Sequence, residues 1–228
     1  MTRDYVAIVP TYERYHECLR AVRSVLAQSV PPIEVIVVND GSTDRRYEWL
    51  AEIVDDPRLH VLVRPVNSRI DLDADCANGE VRNTALQWLE GVGFDGWIAF
   101  LDDDDEWVGD KMERQFEVVE REGNCRLCCT NASNRRHTGE VTGLHHQPDG
   151  KDLGHGVRDV TSVIARYNPI INSSAMITTA LQRKVGLQRP TGKAQDWHYW
   201  KRCVRHTRVL RLDDPYVYYT TGNKKAYL

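Results

Sequence analysis

The chain has 228 residues, of which 41% are hydrophobic and 28% charged, and its formal net charge is −3. This length and apolar content predict one large folded domain or two small ones, and they exclude a chain that is disordered throughout. The near balance of acidic and basic residues argues against a protein whose main task is to coat nucleic acid.

The N-terminal residues lead directly into a strand-like segment and lack the apolar stretch of a secretory signal peptide. No apolar run in the sequence approaches the length of a membrane span. We therefore expect a soluble, cytoplasmic protein without a transmembrane segment.

Strand-like runs alternate with amphipathic helical segments over the first 130 residues. The strands are predicted at residues 5–10, 33–38, 59–63, 97–101 and 126–130. Helices are predicted between successive strands, around residues 18–26, 49–53, 81–89 and 112–119, and a polar loop is predicted at 67–78. This alternation is typical of a parallel sheet with right-handed crossovers and helices on both faces.

The pattern changes after position 130. Residues 131–159 are rich in Gly, His, Asn and Arg and have little apolar periodicity, so we predict a long irregular loop of the kind that serves as a lid or binding loop. The later elements are an ordered core at 170–178, a helix at 197–204, two strands at 209–212 and 216–219, and a tail from 222. No linker divides the chain into independent domains.

Three of the six cysteines, Cys125, Cys128 and Cys129, have a spacing seen in some zinc sites. They lie within an apolar run, however, and no second pair of Cys or His follows at zinc-finger spacing. Free cysteine is among the most often buried residue types, so we expect buried thiols and not a zinc site.

The fourth strand runs into four consecutive aspartates, Asp102 to Asp105. In open α/β sheets, ligands bind outside the carboxyl ends of the strands. Adjacent carboxylates repel one another, and a hard cation such as Mg²⁺ or Mn²⁺, shared with substrate phosphates, offsets that repulsion. The alternative is a solvated acidic turn that starts the next helix, which does not explain four aspartates directly behind a buried strand.

Other polar residues are predicted at the same edge of the sheet: Thr11 and Tyr12, Asp40, and Arg82 with Asn83. An aromatic ring for a base, a carboxylate for a base N–H, and a cation and metal for phosphates suit a nucleoside diphosphate. The glycine-rich motifs of P-loop and dinucleotide-binding proteins are absent from the sequence.

This combination of motifs resembles the family 2 glycosyltransferases of the GT-A fold. The matching segments are residues 6–12, 34–44, 81–86, 100–107, 173–177 and 195–200. The resemblance implies an α/β GT-A fold, with a Rossmann-like, mostly parallel sheet flanked by helices and a C-terminal acceptor-side region. It implies a single domain over 1–228, with a nucleotide-sugar half at 1–130 and an acceptor-side half at 131–228.

The function that this resemblance implies is inverting, metal-dependent transfer from a nucleotide sugar, with UDP as the expected nucleotide and Mn²⁺ or Mg²⁺ as the metal. The implied donor residues are Pro10, Thr11, Tyr12, Asp40, Arg82, Asp102 and Asp103. Asp104 is the implied principal metal ligand, assisted by Asp102, and Asp196 is the implied general base. The family usually has Glu-Asp where this chain has Gln195-Asp196, so the base is kept and the preceding acid is lost.

Structural alternatives exist for several of these residues. Asp196 could be a helix N-cap, Asp40 an Asx-turn residue, and Arg82 a solvated residue or a surface ion pair. The histidines of the irregular region, His145, His146 and His155, could ligate a metal, but solvated loop histidines are the simpler interpretation.

Two other functional classes remain open at this point. A nucleotidyltransferase also places acids beside a nucleotide, but it usually has a glycine-rich loop near its first strand, and residues 10–14 contain no glycine. A non-catalytic nucleotide-sugar-binding module would be favoured by loss of the base, and Asp196 is present. The sequence leaves the acceptor open between a saccharide, a lipid-linked glycan, a protein and a modified nucleic acid base, and it leaves the oligomeric state open.

Overall fold

The computed structural model of the chain describes residues 2–72, 77–145, 157–189 and 194–222. Its strands are β1 (Tyr5–Thr11), β2 (Glu34–Asn39), β3 (Leu59–Val63), β4 (Trp97–Phe100), β5 (Glu106–Trp107), β6 (Cys125–Arg136), β7 (Val141–Leu144), β8 (Val157–Asp159), β9 (Met176–Thr178) and β10 (Arg208–Thr221). Its helices are α1 (Tyr15–Leu26), α2 (Leu50–Val54), α3 (Ser68–Leu72), α4 (Asn78–Gly91), α5 (Lys111–Glu122), α6 (Thr179–Val185) and α7 (Gln195–Cys203). Short 3₁₀ turns lie at Arg45–Trp49 and Asn172–Ser174.

The strands form one mixed sheet in the order β3-β2-β1-β4-β9-β6-β10-β5, with β7 beside β6 and β8 beside β10. Neighbours within β1 to β4 are parallel, as the alternation of strands and helices predicts. The short strand β9 was not predicted. It lies antiparallel between β4 and β6, and its three residues are too few to show a periodic pattern.

Both faces of the sheet are covered, which explains why β1 is apolar throughout. Tyr5, Ala7 and Val9 belong to the core beneath α1 and α5, whereas Val6 and Ile8 belong to the core beneath α4 and α7. This alternation follows from the two-residue repeat of a strand. The predicted α/β class, with helices on both faces, is confirmed.

The prediction of one irregular loop over 131–159 is wrong for the part that the structure describes. Strand β6 continues to Arg136 and forms an antiparallel hairpin with β7, while residues 157–159 form β8. Most side chains of residues 133–144 are polar and none of them is buried, so this extension of the sheet lacks an apolar pattern. His146 and His155 lie outside the described residues. Strand β6 continues across position 130, the predicted boundary between a nucleotide-sugar half and an acceptor-side half. That division therefore stays an interpretation.

Two further predictions need correction. The polar loop at 67–78 contains α3, a helix of five residues whose sequence shows no apolar repeat. The two final strands are one long strand, β10, whose pairing with β6 shifts register near Leu212 and Pro215. Asp213, Asp214 and Pro215 interrupt the apolar run there, so the sequence suggests a break that the backbone spans with bulges.

The expected buried thiols are confirmed for the described cysteines. Cys18, Cys125, Cys128, Cys129 and Cys203 are all buried and form no disulfide, and burial raises the pKa of Cys129 to about 12. Cys76 lies outside the described residues. Within the described ranges, no helix is both long and apolar enough to cross a bilayer.

Lys111 is fully buried behind the acidic segment. Its Nζ donates to Gln115 Oε1 at 2.6 Å and lies 4.0 Å from the centre of the Trp107 ring. Burial lowers the pKa of this lysine to about 7, against a weaker opposing effect of Cys128 and Cys129. The folded chain therefore holds this amine mainly uncharged above that pH.

We expect Lys111→Met to raise the free energy of unfolding at pH 7 by about 1–3 kcal/mol. Methionine avoids the cost of burying the lysine amine and removing its proton, and this gain exceeds the lost hydrogen bond to Gln115, since each unit of pKa shift corresponds to about 1.4 kcal/mol. The unfolded lysine keeps its ordinary high pKa and binds a proton that the folded one lacks. The parent's stability should therefore rise from pH 7 to 9, and this rise should be smaller in the variant.

Urea titrations at pH 7, 8 and 9 measure both effects. The exposed Lys184→Met serves as control, and a less stable Lys111→Met with the parental pH slope would contradict the expectation.

Candidate functional site

A cavity of about 570 Å³ lies at the carboxyl ends of β1, β2 and β4. The residues predicted to hold a donor and a metal line it, with the exception of Arg82: Pro10, Thr11, Tyr12, Asp40, Asp102, Asp103 and Asp104. Residues 219–222, after the bulges of β10, close one side of the cavity. The strand ends therefore converge at one edge, as the parallel arrangement requires.

The four consecutive aspartates divide into two kinds. The side chains of Asp102 and Asp104 are 30% and 29% exposed towards the cavity. Asp103 and Asp105 are buried, with only 6% and 1% of their surface exposed. Asp103 Oδ2 accepts a hydrogen bond from Thr11 Oγ1 at 2.9 Å. One alternate pair of carboxylates is thus available to a ligand, and the other is held by the fold.

The partners of Asp105 come from two distant segments. Its carboxylate accepts from Ser173 Oγ at 2.5 Å and from the backbone N–H of Thr220 at 2.7 Å. Ser173 Oγ also accepts from the backbone N–H of Asp102 at 3.1 Å. Asp105 therefore fixes the acidic motif to the 3₁₀ turn at Asn172–Ser174 and to the end of β10.

The carboxyl groups of the motif are crowded. Burial raises the pKa of Asp103 to about 7, although the Arg14 guanidinium opposes this shift. Burial, reinforced by the charges of Asp104 and Asp102, also raises the pKa of Asp105 well above its ordinary value. Added positive charge in the cavity would favour the ionised carboxylates.

Asp40 lies at the floor of the cavity, held by the segment that follows β3. Its Oδ1 accepts from the backbone N–H of Ser68 at 3.0 Å, and its Oδ2 accepts from Ser68 Oγ at 2.6 Å and from Asn67 Nδ2 at 3.1 Å. The Arg64 guanidinium pairs with Oδ1 at 3.0 Å. The Asx-turn alternative fits Asn39 instead, whose Oδ1 accepts from the N–H of Ser42 at 3.0 Å.

Arg82 does not line this cavity. Its guanidinium pairs with Asp102 Oδ1 at 2.5 Å, and only 4% of its side chain is exposed. Asn172 Nδ2 donates to the same oxygen at 3.0 Å. The interpretation of Arg82 as a partner in a surface ion pair is therefore wrong, because the guanidinium of the pair is buried. A contact of Arg82 with a nucleotide stays a prediction.

A second cavity of about 350 Å³ adjoins the first, and Asn78, Asp102 and Tyr219 line both. Asp196 faces this second cavity from the first turn of α7. Its Oδ2 accepts from Asn168 Nδ2 at 3.0 Å. The N-cap of α7 is Ala194, which makes no side-chain cap, so the interpretation of Asp196 as the N-cap is wrong.

Gln195, the residue that departs from the family pattern, joins two helices. Its Oε1 accepts from the backbone N–H of Gly79 at 2.6 Å, at the start of α4. A Cβ on Gly79 would lie 2.7 Å from this oxygen, so a larger residue there would push the Gln195 side chain away from its present position. Gln195 thereby holds the helix that carries Asp196 against the helix that carries Arg82.

His145 follows β7, is half-buried and lines the second cavity. Its Nδ1 lies 2.8 Å from Asn134 Oδ1, and its ring packs edge-on against Tyr219 at 4.5 Å between centroids. Burial lowers its pKa, which favours the neutral imidazole. The interpretation of His145 as a solvated loop residue therefore fits only in part, because the residue lies outside the strands but is half-buried, and a metal role has no support at this position.

In the described part of the chain, no group of three or more His, Cys, Asp or Glu side chains is arranged to hold a metal ion. A cation shared with phosphates needs only one or two protein carboxylates, however. Asp102 and Asp104 both face the first cavity and provide hard oxygen ligands. The residues present fit a cation that binds together with a phosphorylated ligand.

Sequence reasoning missed several residues of these two cavities. Asn67 and Ser68 follow β3, and their position after a predicted strand could have marked them. Asn172 and Thr220 carry no such signal, because their places depend on the 3₁₀ turn and on the bulged register of β10.

The model of the family described as "Glycosyl transferase family 2" matches residues 6–176. The chain belongs to this family. The described fold agrees, with its mostly parallel sheet and flanking helices, and the GT-A class that the motifs predict is confirmed.

Curated relatives match about half of the chain. A putative teichuronic acid biosynthesis glycosyltransferase, TuaG of Bacillus subtilis, is 35% identical over 127 residues, which are 55% of this chain and 45% of that protein. A glucosyltransferase of Escherichia coli, named as using UDP-Glc and a GlcNAc-diphosphoundecaprenol, is 33% identical over 51% of this chain and 42% of its own length. The chain matches somewhat less than half the length of these relatives.

Solved structures match nearly the whole chain. TarS of S. aureus, residues 1–349 in complex with UDP-GlcNAc, superposes with a TM-score of 0.70 at 21% identity, over 99% of this chain and 62% of that one. A mannosyltransferase of Pyrobaculum calidifontis, in complex with GDP-Man and Mn²⁺, has a TM-score of 0.64 at 17% identity, over 98% and 58%. At these identities the likeness establishes the fold.

Proposed function

We propose that the chain transfers a sugar from a UDP-linked donor to an acceptor hydroxyl, with inversion at the sugar carbon and with the help of a divalent cation. The observation that carries the proposal is the pair of adjoining cavities, which share Asp102. One contains the carboxylate suited to a metal, Asp104, and the other contains the carboxylate suited to a base, Asp196. A donor and an acceptor could therefore meet at Asp102.

The comparisons support this proposal. The structure of one fold neighbour is a complex with UDP-GlcNAc and that of another is a complex with GDP-Man and Mn²⁺, and one relative is named for a UDP-Glc donor. For this chain, Pro10, Thr11, Tyr12 and Asp40 would hold the base, and Asp102 and Asp103 would lie at the ribose end. Asp104, assisted by Asp102, would hold the cation, which when bound stabilises the charge of the departing diphosphate.

The chemistry at the sugar carbon follows from the position of Asp196. A hydroxyl is a weak nucleophile, and a carboxylate within hydrogen-bond reach can take its proton as the new bond forms. The acceptor oxygen bonds to the sugar carbon, the bond from that carbon to the phosphate oxygen breaks, and the nucleoside diphosphate leaves with the electron pair. Attack from the face opposite the leaving group inverts the configuration.

The Asp40 network predicts that uridine is preferred over purine nucleotides by at least about tenfold. The carboxylate can accept the uracil N–H once the Ser68 hydroxyl rotates away, whereas a purine is larger and presents a different edge. Competition among UDP, TDP, GDP and ADP, with Mn²⁺ present, measures the preference. TDP should approach UDP, because thymine adds only a methyl group.

Two variants test whether Asp40 is the cause. Asp40→Asn should reduce the preference for UDP, whereas Asp71→Asn should retain it, although Asp71 also pairs with Arg64, at 3.2 Å. A purine preference in the parent, or an unchanged preference in Asp40→Asn, would contradict the assignment of Asp40.

A panel of UDP-sugars tests the reaction itself, through release of free UDP with Mn²⁺ or with a chelator. The non-catalytic alternative predicts binding without release. The nucleotidyltransferase alternative predicts release of pyrophosphate from a nucleoside triphosphate, and family membership does not favour it.

A further inference from the structure

A positively charged side chain, that of Arg14, lies within the acidic motif, and none of the roles predicted from the family resemblance is assigned to it. Arg14, at the end of the loop after β1, donates from one nitrogen, Nη1, to Asp104 Oδ2 at 2.8 Å and to Asp103 Oδ1 at 3.1 Å. Only 10% of its side chain is exposed. A guanidinium thus bridges a buried carboxylate and the carboxylate proposed as the metal ligand.

The backbone of Arg14 is fixed in place. Its N–H donates to Tyr47 Oη at 3.1 Å, and Tyr47 Oη lies 2.7 Å from Thr11 Oγ1, which donates to Asp103. Asp103 is therefore held from two sides. Asp104 is the more exposed of the two partners of Arg14, since 29% of its side chain is exposed against 9% of the side chain of Asp103. Of the two bonds, the one to Asp104 can be given up with less disturbance of buried structure.

We propose that Arg14 is a competitor of the metal: it neutralises Asp104 when no ligand is bound, and the cation must displace it from that carboxylate. The proposal rests on the assignment of Asp104 as a metal ligand. Two positive groups cannot share one carboxylate oxygen without strong repulsion at this separation. Arg14 also lines the first cavity, so the displaced guanidinium would stay close to the diphosphate and favour it by charge.

This arrangement makes the metal and the diphosphate depend on each other. Without UDP, Mn²⁺ must break the ion pair between Arg14 and Asp104, and the guanidinium gains no new partner, so Mn²⁺ alone should bind weakly. With UDP present, the displaced guanidinium gains a phosphate partner. Arg14 is thus a positioning residue that suppresses metal binding in the absence of the donor.

Titration calorimetry with Mn²⁺ alone, with UDP alone in chelator, and with both tests the proposal. We expect Arg14→Gln to bind Mn²⁺ alone at least about threefold more tightly than the parent, and UDP in chelator at least about threefold more weakly. The matched control is Arg20→Gln. Arg20 lies on α1 and pairs with Glu106 at 3.4 Å. It also donates to the backbone oxygen of Asp104 at 3.4 Å, which leaves the carboxylate of Asp104 untouched. This control should keep the parental Mn²⁺ affinity within about twofold.

The outcomes separate this inference from the proposed function. If the parent binds no Mn²⁺ even with UDP, the proposed metal role of Asp104 fails. If the parent binds Mn²⁺ with UDP, but Arg14→Gln binds Mn²⁺ alone no more tightly, Arg14 does not compete and the inference is wrong. Should Arg14→Gln lose its thermal transition, Arg14→Met replaces it. Methionine keeps an unbranched side chain but carries no charge and donates to neither carboxylate, so an unchanged Mn²⁺ affinity in that variant would overturn the inference.

Discussion

We expect Asp196→Asn to lower the rate of sugar transfer by about 10²–10⁴-fold, the usual contribution of a positioned acid or base. The asparagine oxygen can still accept the hydrogen bond from Asn168, so the local structure should persist. The change removes only the ability to take a proton. Binding of UDP and Mn²⁺ should stay within a few-fold of the parent, because Asp196 lines the second cavity and not the first.

The rate is measured as acceptor-dependent release of UDP, with calorimetry of UDP and Mn²⁺ as the accompanying measurement. Asn168→Ala is the matched variant, since it removes the donor at 3.0 Å that orients Asp196 and leaves the carboxylate in place. Its rate should fall less than that of Asp196→Asn. Transfer at the parental rate in Asp196→Asn would place the base elsewhere, and loss of UDP binding would make Asp196 part of the donor site.

The first part of the fold could be predicted because local and global signals agree there. The parallel strands β1 to β4 are short apolar runs separated by amphipathic helices, and each ends in polar residues. Once the sheet is parallel, Tyr12, Asp40 and Asp104 must lie at one edge. Their approach in space follows from topology and needs no knowledge of side-chain packing.

The second part could not be predicted in the same way, because its positions depend on pairing between distant segments. The extension of β6 beyond the core is polar on both faces and gives no periodic signal. The place of Thr220 against Asp105 depends on bulges in β10, which shift the register between residues 208 and 218. The alternation of exposed and buried aspartates also depends on contacts between distant segments. The sequence alone therefore does not distinguish the four consecutive aspartates from one another.

That alternation predicts opposite effects for two neighbouring aspartates. We expect Asp104→Ala to weaken binding of UDP with Mn²⁺ by roughly 100-fold, because the proposed metal ligand is lost. The melting temperature of this variant should change little. Asp104 is partly exposed, and Arg14 retains its bond to Asp103 at 3.1 Å.

Asp105→Ala should instead lower the melting temperature by about 5–12 °C. The change leaves Ser173 Oγ and the N–H of Thr220 without their buried acceptor, at a cost of about 1–3 kcal/mol each, and about 2–4 °C is lost per kcal/mol at this chain length. Calorimetric scans and UDP titrations with Mn²⁺ on both variants measure the two effects. If Asp104→Ala were the unstable variant and Asp105→Ala the one that fails to bind the metal, the division into cavity-facing and structural aspartates would be wrong, and Asp105 would replace Asp104 as the proposed ligand.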